Sequence, residues 1–297
     1  MFHLEGADVK PPSFEYFAPR SLDEALERLA ERGGAAKVLA GGQSLVPLLN
    51  MRLAGPEVLV DINEVQELAG LAAWDGGLAI GTLVRQATLE HADLVRQRLP
   101  LLAEASTLVG HLAIRHRGTL GGSLAHADPA AELPAAILAL EATLIVRGRR
   151  GTRSLPAADF FTGYLTTALE PDELLTEIRV PGVPAGTGGA FLEVSRRSGD
   201  FAICGAAALV TLNAGGRCDR VRVALCGVAP GPVRARRMED AQLGEVPTGD
   251  VLAEAAQRVV EDIDPPSDIH GSAAYRRKLA MVMSRRAVEL AARRAGA

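Results

Sequence analysis

The stretch Ala36-Lys37-Val38-Leu39-Ala40-Gly41-Gly42-Gln43-Ser44-Leu45 decides the fold of the first part of the chain. Its first five residues predict a short strand, the glycine pair predicts a turn, and the apolar residues from Leu45 to about Leu53 predict a helix. Glycine has no Cβ atom, so the backbone of such a turn can approach an anion closely, and the N–H groups that follow can point at it. The stretch therefore predicts a strand–turn–helix unit that is able to hold a phosphate group.

The segments on either side extend this unit. Ser21-Leu22-Asp23-Glu24 is a capping box that starts a helix, and Gly33-Gly34 ends it. Glu57 to Ile62 is a short apolar run that suits a buried strand, so residues 20–62 form a small α/β unit. Further elements are predicted up to residue 180: strands at Leu78–Gly81, Ala142–Val146 and Leu174–Val180, and helices at Leu99–Leu108 and Glu132–Leu140.

The second part of the chain begins after a stretch of helix and strand breakers. Residues 181–189 are rich in glycine and proline and carry no charge, which is typical of a linker. Beyond them we predict three antiparallel strands and two helices, at Ala190–Val194, Cys204–Leu212, Arg220–Leu225, Asp250–Glu261 and Ala273–Arg294. The 297 residues are therefore expected to form one domain over residues 1–183, with subdomains of about 1–62 and 63–183, and a second over residues 184–297.

A second glycine turn, Gly-Thr-Leu-Gly-Gly-Ser at residues 118–123, follows the first by about 80 residues. The first turn is not a G-x-G-x-x-G fingerprint, and the sequence contains no Walker A loop, so neither common nucleotide motif explains the pair. Two such loops that converge from opposite sides could hold a pyrophosphate by backbone donors. Spacing alone also allows both to be ordinary turns.

Two carboxylates follow the second turn. In the segment His126-Ala127-Asp128-Pro129-Ala130-Ala131-Glu132, Asp128 can cap a helix that has Pro129 at its first position, with Glu132 in the first turn. Alternatively, Asp128 or Glu132 accepts hydrogen bonds from the hydroxyl groups of a ligand. The two interpretations are compatible, and the residues alone do not decide between them.

Composition excludes several classes of function. Lys and Arg number 32 against 36 Asp and Glu, a net charge of −4, whereas phosphate-neutralising nucleic-acid binders are usually basic. The three cysteines, Cys204, Cys218 and Cys226, form no C-x-x-C pair, so neither a metal site nor an iron–sulfur cluster is expected on this chain. No apolar run reaches the ~20 residues of a membrane span, and Met1–Glu5 lacks the start of a secretory signal. A cytoplasmic location is therefore expected.

Three motifs give the chain a family resemblance. Residues 40–52, AGGQSLVPLLNMR, resemble the first flavin loop of the FAD-binding medium subunits of the molybdenum hydroxylases, the relatives of carbon monoxide dehydrogenase and xanthine dehydrogenase. Residues 114–129, IRHRGTLGGSLAHADP, resemble the second loop of that family, and a stretch from Gly163 to Pro181 is also similar. The resemblance extends over essentially the whole chain.

The resemblance implies an α+β fold: a two-part FAD-binding module of the vanillyl-alcohol-oxidase (PCMH) type, followed by a C-terminal α/β domain with a small antiparallel sheet and helices. It implies that the two loops wrap the pyrophosphate of a non-covalently bound FAD, that Asp128 and Glu132 lie near the ribitol, that Leu175 lies near the flavin ring, and that Phe201 stacks on it. The full set of implied cofactor-binding residues is Leu39, Ala40, Gly41, Gly42, Gln43, Ser44, Leu45, Val109, Thr119, Gly121, Gly122, Ser123, Asp128, Glu132, Leu175 and Phe201. Phe201 stands where the family often has Tyr, and an ordinary role in the core stays open for it.

The function implied by the resemblance is electron transfer. FAD on this chain takes electrons from [2Fe–2S] clusters on a small partner subunit, which a large molybdenum subunit feeds, and passes them to an external acceptor. A dimer of heterotrimers is the expected assembly, with no catalytic acid, base or metal ligand on this chain. A stand-alone FAD-dependent oxidase or dehydrogenase is the alternative, although no base that would serve it can be identified. A binding module that has lost its flavin is a further alternative.

Overall fold

The computed structural model describes residues 10–296. The segment Met1–Glu5, on which the expectation of no secretory signal depends, lies outside the described residues. The strands are β1 (Glu15–Phe17), β2 (Ala36–Leu39), β3 (Val58–Asp61), β4 (Leu71–Trp74), β5 (Gly77–Gly81), β6 (Thr143–Gly148), β7 (Gly151–Pro156), β8 (Phe161–Gly163), β9 (Thr166–Thr167), β10 (Glu173–Val180), β11 (Thr187–Val194), β12 (Cys204–Leu212), β13 (Cys218–Cys226) and β14 (Val233–Arg234). The helices are α1 (Leu22–Arg32), α2 (Leu45–Asn50), α3 (Gln86–His91), α4 (Asp93–Arg98), α5 (Pro100–Leu108), α6 (Leu112–Arg117), α7 (Leu120–His126), α8 (Glu132–Ala139), α9 (Ala157–Phe160), α10 (Arg236–Gln242), α11 (Gly249–Gln257) and α12 (Ala273–Ala295).

The first sheet is small and parallel. Its strand order is β1-β3-β2, so the predicted unit of residues 20–62 gains an additional edge strand from residues that precede it. One half of the predicted capping box is present, since the Ser21 hydroxyl accepts a hydrogen bond from the Glu24 N–H at 3.2 Å and starts α1. The Glu24 carboxylate accepts instead from the Arg20 N–H, at 3.0 Å. Burial of Leu26 and Leu29 against Val58 and Val60 holds α1 on this sheet.

The second sheet is antiparallel, with strand order β4-β5-β10-β6-β7. The helices α3 to α8 lie between β5 and β6 in the chain, and α5 and α8 contribute to the same buried core as this sheet. The register of β10 against β6 shifts between Leu175 and Glu177, which marks a β-bulge. These two sheets carry the segments that resemble the flavin loops.

The third sheet has the antiparallel order β11-β12-β13-β14, and α10, α11 and α12 share a buried core with it. Its other side joins the core of the preceding part of the chain. Phe191 and Leu209 of this sheet belong to one apolar cluster with Leu102 of α5 and Ile137 of α8. The α+β class, the C-terminal antiparallel sheet and its helices are thus as predicted.

Four local predictions are wrong. The linker ends earlier than residue 189, because Thr187 already pairs with Thr211 in the third sheet. The segment predicted as the second glycine turn contains the start of α7, with Gly121 and Gly122 inside the helix. The helix predicted over Asp250–Glu261 ends at Gln257 and continues as a 3₁₀ turn. Asp128 does not cap α8. That helix begins at Glu132, and its N-cap residue, Ala131, makes no side-chain capping hydrogen bond.

The C-terminal helix α12 is rich in arginine, and one of these residues, Arg276, is buried. It is only 4% exposed, and its guanidinium donates to the Ile203 and Gly227 carbonyls at 2.5 and 2.8 Å and to Asp268 at 2.7 Å. Arg294 is also engaged, with Glu104 at 2.8 Å. Part of the positive charge of α12 therefore fixes tertiary structure. Over residues 10–296, no helix is long and apolar enough to cross a membrane.

Candidate functional site

The first loop, residues 40–44, links β2 to α2. Gly42 adopts φ +74°, a left-handed conformation that favours glycine. The Gln43 side chain folds back and donates to the Gly41 carbonyl at 3.0 Å. Among the described residues, the N–H groups of Gly41, Gly42, Gln43, Ser44 and Leu45 donate to no protein acceptor. Consecutive unpaired backbone donors of this kind are suited to an anion.

The second loop, residues 117–123, is already hydrogen-bonded within the protein. The Leu120 N–H donates to the Val84 carbonyl at 3.0 Å, and the Gly121 N–H donates to the Thr82 carbonyl at 2.9 Å. Thr119 caps α7, because its hydroxyl accepts from the Gly122 N–H at 3.0 Å. The two loops therefore differ: the first has a run of free donors, whereas most donors of the second are used to position the loop itself.

The two loops meet in space, as their predicted convergence requires. A Cβ atom at Gly41 would lie 2.6 Å from the Arg117 carbonyl oxygen, so only glycine permits this approach. A Cβ atom at Gly122 would lie 3.6 Å from the Cβ of Ala40, which is an ordinary contact. The glycines of both loops serve close packing between the loops as well as access for a ligand.

Asn63 and Arg85 connect the two loops, and the sequence analysis did not single them out as site residues. Asn63 bonds to the main chain of the first loop, and Arg85 bonds to the main chain of the second. A signal for Asn63 was available, because a polar residue follows the buried run that ends at Ile62. Nothing in the sequence identifies Arg85, which depends on the meeting of distant segments.

A second group of polar side chains lies at the start of α8. Glu132 is only 3% exposed, and burial, together with the nearby Glu193 and Asp128 carboxylates, raises its pKa to about 8. Burial raises the pKa of Glu193 to about 7, and its Oε2 atom is buried without a hydrogen-bond partner in the described chain. Asp128 accepts from the Ala130 N–H at 2.9 Å, which forms a turn ahead of the helix.

The remaining candidate residues, Val109, Leu175 and Phe201, differ in how exposed they are. Val109 ends α5, and its carbonyl accepts from Arg115 at 3.1 Å. The neighbouring residue His111 contacts the loop that carries Phe201, since a Cβ atom at Gly199 would lie 2.4 Å from its ring. Phe201 is 58% exposed, so it does not serve as an ordinary core residue. Leu175 is 2% exposed and packs in the core beside the bulge of β10.

Comparisons with known proteins agree with this geometry. Residues 12–183 match the family model of the FAD binding domain in molybdopterin dehydrogenase, and residues 189–291 match that of the CO dehydrogenase flavoprotein C-terminal domain. The chain belongs to the FAD-binding medium subunits of the molybdenum hydroxylases. Members of this family are oxidoreductase subunits that bind FAD, and the family resemblance of the sequence is confirmed.

Individual members of the family are similar along nearly their whole length. The chain is 43% identical to the 6-hydroxypseudooxynicotine dehydrogenase complex subunit alpha of Paenarthrobacter nicotinovorans, over 97% of each chain. It is 42% identical to the caffeine dehydrogenase subunit beta of a Pseudomonas species, over 96% of this chain and 97% of the relative. A solved structure of carbon monoxide dehydrogenase from Hydrogenophaga pseudoflava superposes with a TM-score of 0.93 at 41% identity, over 96% of this chain and 99% of the other.

The residues of the candidate site fit an FAD pyrophosphate. The first loop supplies consecutive backbone donors without an internal acceptor, and the glycines allow close approach of a ligand. Among the described residues, no group of three His, Cys, Asp or Glu side chains is arranged to hold a metal ion. Backbone N–H donors of this kind suit an anion such as a phosphate.

Proposed function

We propose that this chain is the electron-transfer subunit of a molybdenum hydroxylase, taking electrons from [2Fe–2S] clusters of a small partner subunit and passing them to an external acceptor. The observation that carries the proposal is the run of backbone N–H groups at Gly41–Leu45, which find no acceptor within residues 10–296 and are packed against the second loop. Bound FAD supplies the redox chemistry, since it can exchange electrons with both one-electron and two-electron partners. The chain itself binds the cofactor and orients it.

Each of the candidate cofactor-binding residues has a role in this proposal. Residues 39–45 and Thr119, Gly121, Gly122 and Ser123 surround the pyrophosphate, with the first loop as the main donor. Asp128 and Glu132 contact the ribitol, while Val109, Leu175 and Phe201 lie around the flavin ring. Glu132 carries a proton at neutral pH because of its raised pKa, so it can donate a hydrogen bond to a cofactor hydroxyl. No side chain is assigned to acid–base catalysis, and no covalent bond to the flavin is proposed.

The proposed assembly is a dimer of heterotrimers with a small iron–sulfur subunit and a large molybdenum subunit. Exposed apolar side chains support a protein contact near the first loop: Val46 lies on α2, and Met51 and Leu53, which follow it, are 60% and 71% exposed. We propose two domains: a first over residues 1–183, with subdomains of about 1–62 and 63–183, and a second over residues 184–297. The cysteines are free and buried, which supports a reducing compartment such as the cytoplasm.

Two measurements test the proposal. Purified full-length chain, mixed with FAD, is expected to bind the cofactor and to show flavin absorbance after removal of the free ligand. The native complex, isolated through this chain, is expected to contain iron and molybdenum. Absence of both metals from the complex, together with rapid reduction of the flavin by small alcohols or aldehydes in the isolated chain, would instead identify a stand-alone dehydrogenase.

A further inference from the structure

We propose that Asn63 and Arg85 are positioning residues that hold the two loops in the arrangement that receives the FAD pyrophosphate. The inference rests on the proposed FAD site and adds to it two side chains from outside both loops. We call this pair the Asn63–Arg85 brace. It joins the end of β3 to the segment before α3, and it contacts the main chain of each loop.

Asn63 holds the first loop. Its Nδ2 atom donates to the Ala40 carbonyl at 2.7 Å and to Asp61 Oδ1 at 2.5 Å, and its own N–H donates to the same Asp61 oxygen at 3.0 Å. The other oxygen of Asp61 accepts from the Tyr16 hydroxyl at 2.7 Å. Because Asp61 is fixed in this way on β3, the Asn63 amide has a single orientation, with its nitrogen toward the first loop.

Arg85 connects Asn63 to the second loop. Its Nη2 atom donates to Asn63 Oδ1 at 2.7 Å, and its Nη1 atom donates to the Arg117 carbonyl at 2.5 Å. The adjacent backbone reinforces the contact, since the Gln86 N–H donates to the Gly118 carbonyl at 3.0 Å. The planar guanidinium places these two donors in a fixed geometry, which a lysine does not reproduce. The guanidinium therefore sets the distance between Asn63 and the second loop.

The brace also determines where a free donor points. The C=O of Ala40 and the N–H of Gly41 belong to one trans peptide, so they point in opposite directions. Because Asn63 holds the Ala40 carbonyl, the Gly41 N–H is directed away from the brace. Gly41 is the first of the unpaired donors in the first loop. Without the brace, this peptide can rotate and present its carbonyl oxygen, which repels a phosphate.

A neighbouring ion pair offers a matched control. Arg20 pairs at 3.0 Å with Glu64, the residue that follows Asn63 in the sequence. The side chains of Arg20 and Glu64 are 83% and 56% exposed. The hydrogen bonds that Arg20 donates, to Glu24 and Glu64, involve neither loop. Arg20→Met therefore removes an arginine that pairs with the residue next to Asn63 but contacts neither loop, and exposed pairs of this kind contribute little to stability.

The test is FAD binding by the full-length chain, measured by flavin fluorescence at 25 °C for wild type, Asn63→Ala, Arg85→Met, the double variant and Arg20→Met. Each brace variant is expected to raise the Kd about tenfold, the effect of about one hydrogen bond. The Kd of the double variant is expected to be about equal to that of the weaker-binding single variant, because the two residues act as one unit. Arg20→Met is expected to match wild type.

The outcomes separate the two levels of the proposal. A wild-type chain that binds no FAD overturns the proposed function and this inference with it. Wild-type affinity in the folded brace variants overturns the inference alone, as does a fully additive double variant. Circular dichroism establishes folding, and if Arg85→Met does not fold, Arg85→Lys decides. Lysine keeps the charge but not the planar fork, so it is expected to weaken FAD binding as well.

Discussion

Gly121, at the start of α7, leaves no space for a side chain. A Cβ atom there would lie 1.5 Å from the Thr82 hydroxyl oxygen, and Thr82 is itself only 3% exposed. We predict that Gly121→Ala displaces the second loop and lowers the free energy of unfolding by about 2 kcal/mol, a typical cost of overpacking. Gly34→Ala is the control, because no atom of residues 10–296, its chain neighbours aside, lies within 4 Å of a Cβ at that position. Urea unfolding checks this; equal stability of the two variants would contradict it.

The raised pKa of Glu132 predicts that the stability of the protein depends on pH. Its pKa is about 8 in the folded chain against an ordinary value of 4.5, mainly because burial disfavours the charged form. Between these values the unfolded chain has lost the proton while the folded chain retains it, so the stability present below pH 4.5 is lost as the pH rises through about 8. We expect the apoprotein to become less stable across this window.

Glu132→Gln removes this titration and is expected to flatten the profile. At pH 8.5 the variant should exceed wild type by on the order of 3 kcal/mol, since one pKa unit corresponds to about 1.4 kcal/mol and part of the cost relaxes when the group ionises. Urea unfolding of the FAD-free chain at pH 5.5 and 8.5 measures the difference. Glu193, with a pKa raised to about 7, remains in both proteins, so some decline persists in the variant. An unchanged pH profile in the variant would show that Glu132 ionises normally.

At the scale of elements, α12 depends on one buried arginine. Arg276 joins the helix to the Ile203 and Gly227 carbonyls, next to the ends of β12 and β13. We predict that Arg276→Met lowers the free energy of unfolding by about 3 kcal/mol, because both carbonyls and Asp268 lose a charged donor. Arg293→Met on the same helix is the control, since within the described chain Arg293 forms just an exposed pair with Glu289. Similar losses in both variants, in a thermal or urea titration, would refute the special role of Arg276.

The elements also show what sequence patterns can and cannot predict. Capping and apolar periodicity predicted α1, β2 and β12 because the signals are local. Gly188 was assigned to a linker, yet it lies in β11, where a Cβ atom would be 2.0 Å from the Ala291 carbonyl oxygen. This glycine allows α12 to pack closely on the strand, a requirement that depends on residues a hundred positions away. Gly121 and Gly122 lie in α7 for a similar reason, because tertiary contacts outweigh their low helix propensity.

On the scale of the whole molecule, the part up to residue 180 and the part after it share a core and an ionic cluster. Glu141, which follows α8, lies between three arginines of the third sheet, Arg220, Arg222 and Arg234. Partial burial would raise the pKa of Glu141, but these arginines outweigh it and hold the pKa below its ordinary value. The shared apolar cluster spans the same boundary, with Phe191 on one side and Ile137 on the other.

We therefore expect a single cooperative unfolding transition, despite the two family matches along the chain. Glu141→Gln should lower the temperature of that transition, with a loss of about 1–2 kcal/mol at pH 7, because Arg234 is left partly unpaired. Since the pKa of Glu141 is lowered, its contribution is present at neutral pH and is lost as the pH falls through that pKa. Differential scanning calorimetry at pH 7 and at acid pH measures both effects. Two separate transitions in wild type would show that the shared core does not couple the parts.

At this scale the candidate site could be only half predicted. The two loops were recognisable because each is a contiguous motif, whereas Asn63, Arg85 and Glu193 reach the site from other segments. Their roles arise from topology, which no local pattern contains. The sequence also could not show that the first loop has backbone N–H groups without an acceptor among the described residues, whereas most of those in the second loop are used, because this depends on which N–H groups are hydrogen-bonded within the fold.

The unpaired amides of the first loop have a practical consequence for cofactor loading. Backbone donors recognise any tetrahedral oxyanion, so before FAD binds, the same amides at Gly41–Leu45 are available to sulfate or inorganic phosphate. Incorporation of FAD is then an exchange reaction whose rate and extent depend on the buffer. Protein purified by ammonium sulfate precipitation, or kept in phosphate, would take up flavin more slowly than protein kept in chloride and Tris.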